Sequence, residues 1–318
     1  MKKLSRFTII ALVLLTLTAC RQDKVAQKDH YKIGIVQYAE HPALDAANKG
    51  FIKALAEAGY KEGKNLQVTE KNAQGEQANL QTMVEQLAGK NDLNFAIATP
   101  AAQAMVNADQ ETPTIFTAVT DPVSAGLVKS LNKPGGSATG SIDAGDVKQQ
   151  IDLLSKVLPK AKTVGIFYNS SEVNSQTQAK QAQKALAKKG IKVIVKTVTS
   201  SNDVQQVMTS LAGQVDAVYL PTDNTVASTA STIGQVLKDA KVPALGSDAA
   251  YLDAVLLTSG VDYQAIGHAA GQEAVKVLKG EKISDIPVAK PQKAEIKINE
   301  DMAKAIGIDS AQLKAAIK

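Results

Sequence analysis

Lys32-Ile-Gly-Ile-Val-Gln37-Tyr-Ala-Glu-His41-Pro-Ala-Leu44-Asp45 decides the fold. A short β-branched run ends at Gln37. From about Ala43 the apolar residues Leu44, Ala47, Phe51, Leu55 and Ala58 then recur on one helical face until Gly59. This is one complete β–α step. The step repeats downstream, with strands expected at 66–70, 95–98 and 114–117 and helices at 79–88 and 100–108. Short β-branched runs alternating with helical stretches indicate βαβ units around parallel sheets, and four strands complete a compact half.

The turn-forming run Asn132-Lys-Pro-Gly-Gly-Ser137 places a crossover before a strand-like 138–142. A second series follows, with strands at 163–168, 192–198, 217–220, 244–245 and 255–258. Its helical stripes are Val204, Val207, Met208, Leu211 and then Val226, Ala230, Ile233, Leu237. The repeated plan argues for two similar halves. A helix at 263–278 stops at Gly280, and 286–288 and 294–298 are strand-like. Closing helices are expected at 299–307 and 310–317, with Asn299 and Ser310 as N-caps. The fold class is therefore α/β, with two Rossmann-like lobes.

Bulk properties agree. At 318 residues the chain exceeds the size at which a single core stops growing, and 44% hydrophobic with only 4% aromatic residues suits helices packed on buried parallel strands. The net charge of +5 falls to about +2 once Lys2, Lys3 and Arg6 are set aside, too little for an electrostatic footprint on nucleic acid. No DNA- or RNA-binding motif accompanies it, so a nucleic-acid partner is not expected.

Those three cations open a leader. An apolar run from Phe7 to Leu17 reaches Leu17-Thr-Ala-Cys20 and turns polar at Arg21. The run is shorter than the ~20 residues of a spanning helix, so 1–19 reads as a signal peptide and 20–30 as a tether. The Leu-Thr-Ala-Cys ending resembles a bacterial lipobox, in which Cys20 receives a lipid and anchors the chain to a membrane at about 0.8 kcal/mol per buried methylene. Cys20 is the only cysteine, which leaves the body without a disulfide or thiolate site.

Ligands of open α/β sheets bind beyond the carboxyl ends of the strands. At those exits Thr99-Pro-Ala-Ala-Gln103 combines a hydroxyl N-cap, a proline at the first helical position, and the small Ala101 and Ala102, whose N–H groups suit a carboxylate. Ordinary helix capping explains the same residues. Thr120-Asp121-Pro122 repeats the arrangement, with Asp121 reading as a cap. Asn169, Ser170, Asn174 and Ser175 follow the 163–168 strand. Thr222-Asp223-Asn224 and Gly246-Ser247-Asp248 complete a second polar rim, whose acids suit an ammonium group or a turn. Gln37, Tyr38, His41 and Leu44 at the first exit offer an apolar side-chain pocket. The histidines His30, His41 and His268 show no metal-binding spacing, and no nucleophile elbow, P-loop or dinucleotide fingerprint is present. An unusual carboxylate pair, Asp121 with Asp223, is the enzymatic alternative.

The ordered succession Ala98-Thr-Pro-Ala-Ala-Gln103, Thr120-Asp-Pro-Val-Ser-Ala-Gly-Leu-Val128, Lys133-Pro-Gly-Gly-Ser-Ala-Thr-Gly140 and Tyr168-Asn-Ser-Ser-Glu-Val-Asn-Ser175 resembles the ABC transporter substrate-binding proteins that include tryptophan and tyrosine binders. The resemblance spans nearly the whole mature chain. It implies a type I periplasmic-binding-protein fold with three hinge crossings, a first lobe of 31–140 and 260–285, and a second of 141–259 and 286–318. It also implies a carboxylate held by Thr99, Ala101, Ala102 and Thr120, an ammonium held by Asp248 with Asp223 second, and Asn169 assisting the closed form. Tyr38, His41, Leu44 and Phe116 would shape a ring pocket. The implied partners are a small-molecule ligand, foremost an aromatic amino acid, and an ABC permease with its ATPase. No cofactor is implied, and a monomer is the default. Branched-chain amino acids or another solute, and a sensor acting on a membrane kinase, remain alternatives.

Overall fold

The computed structural model describes residues 28–292 and 294–317. The leader, Cys20 and most of the tether lie outside them. The first sheet is built from β1 (Tyr31–Gln37), α1 (Pro42–Glu57), β2 (Leu66–Asn72), α2 (Gln77–Leu87), β3 (Leu93–Ile97), α3 (Thr99–Ala108), β4 (Thr114–Val119) and β5 (Ala138–Ile142). Its order is β2-β1-β3-β4-β5, all parallel. Central β3 and β4 are buried at every position, as strands covered on both faces must be, whereas edge strand β2 is largely polar.

The second series runs α4 (Val147–Val157), β6 (Thr163–Asn169), α5 (Val173–Lys188), β7 (Lys192–Val198), α6 (Val204–Ala212), β8 (Ala217–Leu220), α7 (Asn224–Ser228), α8 (Ala230–Ala240), β9 (Ala244–Gly246) and β10 (Leu257–Gly260). After α9 (Tyr263–Leu278), the chain adds β11 (Glu295–Ile298), α10 (Glu300–Ile306) and α11 (Ser310–Ile317). This sheet is ordered β11-β10-β9-β8-β6-β7, with only β11 antiparallel. Both sheets repeat the doubly wound order in which the first strand of each series is second in space. Switch points therefore fall between β1 and β3 and between β6 and β8.

Several local expectations change. The crossover follows β5 rather than preceding it, because 138–142 pairs with β4 and makes a fifth strand of the first sheet. Gly140 allows this approach: with φ of 156°, a Cβ there would fall 1.9 Å from the Phe116 carbonyl oxygen. The strand expected at 255–258 begins at Leu257, after a turn anchored by Tyr251. The stripe Val226–Leu237 is two helices broken at Thr229. Segment 286–288 forms no strand; the next residue, Ala289, makes a single bridge to Ser141. Asn299 caps α10 as expected, but at α11 it is Asp309, not Ser310, whose side chain accepts from the Ala311 amide.

The helix α9 returns to the first sheet's core, where Ile266, Ala270 and Ala274 join Ile33, Phe51 and Phe95. The last two helices pack in the second core through Met302, Ala303, Ile306 and Leu313. The chain thus passes between the sheets three times. Among the described residues no helix is long and apolar enough to cross a membrane.

Candidate functional site

The carboxyl ends of the two sheets face each other, and the loops after β1, β5, β6, β8 and β9 meet there in polar contacts, with the first residue of α9 among them. The lobes touch where His41 Nε2 lies 3.3 Å from Asn224 Oδ1. Asn224 Nδ2 donates to Glu172, which also accepts from the backbone amides of Asn224 and Thr225. Because the Asn224 side-chain nitrogen is given to Glu172, the Asn224 oxygen faces His41 and the His41 Nε2 is the donor. Burial holds the imidazole below its usual pKa, against the pull of Asp248. The neutral ring therefore leaves Nδ1 as an acceptor, buried and making no hydrogen bond within the described protein.

Asp248 is buried after β9. Its Oδ1 accepts from the Ala250 amide and its Oδ2 from Tyr263 Oη at 2.5 Å. Tyr263, the first residue of α9, also lies 3.1 Å from Asp143 Oδ2. Burial raises the pKa of Asp248. Burial, and then the charge of Asp248, push Asp143 up to about 6. Thr120 Oγ1 and Asp143 Oδ1 are each buried without a hydrogen bond of normal geometry, although the Thr120 hydroxyl sits near enough to favour the charged form of Asp143. Thr99 Oγ1 and Asn174 Oδ1 are likewise buried without partners. Buried polar atoms are normally hydrogen-bonded, so unsatisfied ones on facing rims mark a surface built for a polar ligand.

The expected residues divide by what their side chains already do. Thr99, Thr120 and His41 each keep a buried polar side-chain atom without a partner, and Asp248 is buried against Tyr263. Thr99 is not the N-cap of α3: the cap is Ala98, at φ of 84°, so the helix starts one residue early. Consequently the Ala102 amide already donates to the Ala98 carbonyl, and the unbonded first turn offers the amides of Thr99 and Ala101. Asp223 caps α7 and accepts from the Asn169 amide. Asn169 donates to Thr225, Thr222 bonds Ser247, and Ser170 bonds the Val198 carbonyl. Gln37 is committed to Ala39 and Asp45, and Asp121 to Ser124. Leu44 and Phe116 are buried in the first core. The Asp121–Asp223 pair does not form: Asp121 caps a surface turn, whereas Asp223 is buried against Asn169.

Asp143, Tyr263 and Glu172 complete the cluster beyond the expected set. Asp143 directly follows a strand, so the strand-exit rule reaches it once β5 is counted in the first sheet. Tyr263 carries no comparable signal, because a tyrosine at a helix start reads as core. Tyr38 is buried beside Glu172 and Asp223, which with burial push its hydroxyl far up. It also borders an outer cleft of about 530 Å³ lined by Gln74, Glu76, Gln103 and Asn107 on one side and Ser171, Ser200, Thr225 and Ser228 on the other. Among the described residues no three His, Cys, Asp or Glu side chains group as metal ligands.

Two doubly wound lobes closing a polar cluster between their strand ends define a binding protein of the type I periplasmic class. The chain belongs to the ABC transporter substrate binding protein family, whose model matches residues 32–316. It is 41% identical over 302 residues to a tyrosine-binding protein of Clostridioides difficile (strain R20291), covering 91% of this chain and 88% of that one. It is similar to an ABC domain from Streptococcus pneumonia solved in complex with L-Trp, at 38% identity and a TM-score of 0.85, covering 90% of this chain and 98% of the other. It is also similar to a ligand-free, open substrate-binding protein with adhesive properties from Clostridium difficile, at 43% identity and a TM-score of 0.67, covering 88% and 96%. The more identical relative superposes less well.

Proposed function

We propose that this protein captures an aromatic amino acid for an ABC importer. The observation that carries the reading is the opposition of two kinds of recognition group across one buried cleft: the hydroxyls and helix-end amides of Thr99, Ala101 and Thr120 on one side, and the buried acid Asp248 on the other. Such a pair matches the carboxylate and ammonium of an amino acid, because a charged group in a desolvated cleft needs a partner. The Trp-bound and tyrosine-binding relatives support the aromatic class. Tyr38 and His41 would border the ring, and His41 Nδ1 would accept from a ring-borne N–H or O–H.

Binding closes the lobe of 31–140 and 260–285 on that of 141–259 and 286–318, with β5 extending the first to 142. Contacts available only when both rims meet the ligand favour the closed form, which docks as a monomer on a permease driven by its ATPase. No turnover is involved. Calorimetric titration of the body from Arg21 onward tests the ligand. The chain has no tryptophan, so indole fluorescence reports ligand alone. Saturable binding of tyrosine or tryptophan at one site per chain, with leucine and a sugar much weaker, is expected; a folded, ligand-stripped protein that binds neither aromatic rejects the reading.

The leader and lipobox support lipid anchorage through Cys20 on the extracytoplasmic face of the membrane. Cys20→Ser is expected to abolish fatty-acid labelling in cells and to shift the protein to an unlipidated precursor or soluble form. Undiminished labelling rejects the anchor.

A further inference from the structure

Two buried carboxyl groups meet a single hydroxyl hydrogen in the cleft. Tyr263 Oη is 2.5 Å from Asp248 Oδ2 and 3.1 Å from Asp143 Oδ2, and all three residues are buried. A phenol has one hydrogen, and the shorter contact, at the length of a charge-assisted bond, takes it to Asp248. Tyr263 then turns a lone pair toward Asp143 Oδ2. That contact is attractive only when Asp143 itself carries a hydrogen there. The geometry is that of a donor chain, from neutral Asp143 to Tyr263 to ionised Asp248. Asp143 Oδ1 remains an acceptor with no hydrogen bond of normal geometry.

We propose that Asp143 is a second ligand-binding acid and that, in mildly acidic solution, the ligand's ammonium replaces the proton held by Asp143, so that capture of the amino acid there releases a proton to solvent. The inference rests on the amino-acid reading above and extends it to a residue and a linkage which that reading does not contain. The balance is simple: the ammonium keeps its three hydrogens, the O–H of Asp143 is broken, its proton goes to solvent, and the resulting carboxylate pairs with the ammonium.

The surroundings fit. Asp143 is faced by the Thr120 hydroxyl from the end of β4, by Tyr263 from α9 and by Asp248 from beyond β9. Asp248 in turn is near His41, at the cap of α1, and Tyr251, in the turn that follows it. His41 is held toward its neutral form by burial, so it does not supply the compensating positive charge. The buried acids that follow β6 and β8, Glu172 and Asp223, are raised by burial but bonded to Asn224, Thr225 and Asn169.

The sign follows from competition. Below about pH 6 the ligand must displace the proton, and above it Asp143 is already ionised. Affinity is therefore lost as pH falls through about 6, on the order of tenfold between pH 7 and pH 5, and a measurable fraction of a proton leaves per ligand at pH 5.5.

The test is calorimetry of tyrosine and tryptophan binding at pH 5.5 in two buffers of different ionisation enthalpy, with wild-type protein and Asp143→Asn. In the wild type the heat should depend on the buffer by that fraction of a proton. In Asp143→Asn it should not, and binding at pH 7 should be weaker. Buffer-independent heat in the wild type overturns the inference, as does undiminished proton release in Asp143→Asn, which would assign the proton to another acid. If Asp143→Asn does not fold, Asp143→Ser in the same two buffers takes its place, and the same two outcomes decide. Binding without proton release overturns this inference only, whereas no aromatic binding at any pH overturns the amino-acid reading and this inference with it.

Discussion

Asp248→Asn lowers affinity for the amino-acid ligand by roughly 30- to 1,000-fold, the equivalent of about 2–4 kcal/mol for removing one partner of a buried charge pair. The substitution is nearly isosteric. Asn can still accept from the Ala250 amide, the bond that holds the turn, so the fold is retained. What disappears is the negative charge beside Tyr263 and the site proposed for the ammonium. Titration of the variant with tyrosine and tryptophan, beside a melting curve that shows an intact fold, checks it. Unchanged affinity would mean that the ammonium sits elsewhere and would reject the orientation proposed for the ligand.

Gly267→Ala destabilises the first lobe by roughly 3 kcal/mol, read as a lower denaturation midpoint. In an exposed helix the same change would help by about 1 kcal/mol, because alanine is the better helix former. Here a Cβ would fall 1.9 Å from the Ala47 carbonyl oxygen of α1. Backbone that is fixed in its own helix cannot move aside cheaply. Gly50 and Gly271 make similarly close approaches along the same seam, which lets α1 and α9 nearly touch. Because α9 begins with Tyr263, separating the two helices also displaces the hydroxyl shared by Asp143 and Asp248, and ligand affinity should fall with stability. Gly136→Ala, whose added carbon would meet nothing within 4 Å, is the control and should change the midpoint little.

Much of the architecture was legible because alternation between period-2 and period-3.6 apolar patterns is a local signal. The run at Lys32 gave a strand observed at Tyr31–Gln37, and the helix expected at 263–278 has those same ends. The misreadings occurred where packing overrides local pattern. Ala98 takes a positive φ that alanine rarely adopts, which begins α3 a residue early and ties up the Ala102 amide. The strand expected at 255–258 slides to Leu257 because Val255 completes a turn on Tyr251. Residues 138–142 read as the opening of a new series because a Pro-Gly-Gly turn precedes them, yet they pair with β4.

The site was legible as a set of strand exits, but not as a division of labour. Asp121, Asp223 and Asp248 all follow strands and are chemically identical in sequence. Only the structure turns Asp121 to a surface cap, Asp223 to the Asn169 amide and Asp248 to Tyr263. His41 resembles any loop histidine until Asn224, 183 residues later, is found beside it.

By itself the sequence determined the α/β class, the two-series plan and the family, because these are written in periodicity and in ordered local motifs. Only the tertiary structure decided which acids are buried together. Asp143, Asp248 and Tyr263 come from three separate segments, and the meeting of both acids at one hydroxyl depends on distances of a few ångströms that no local pattern encodes.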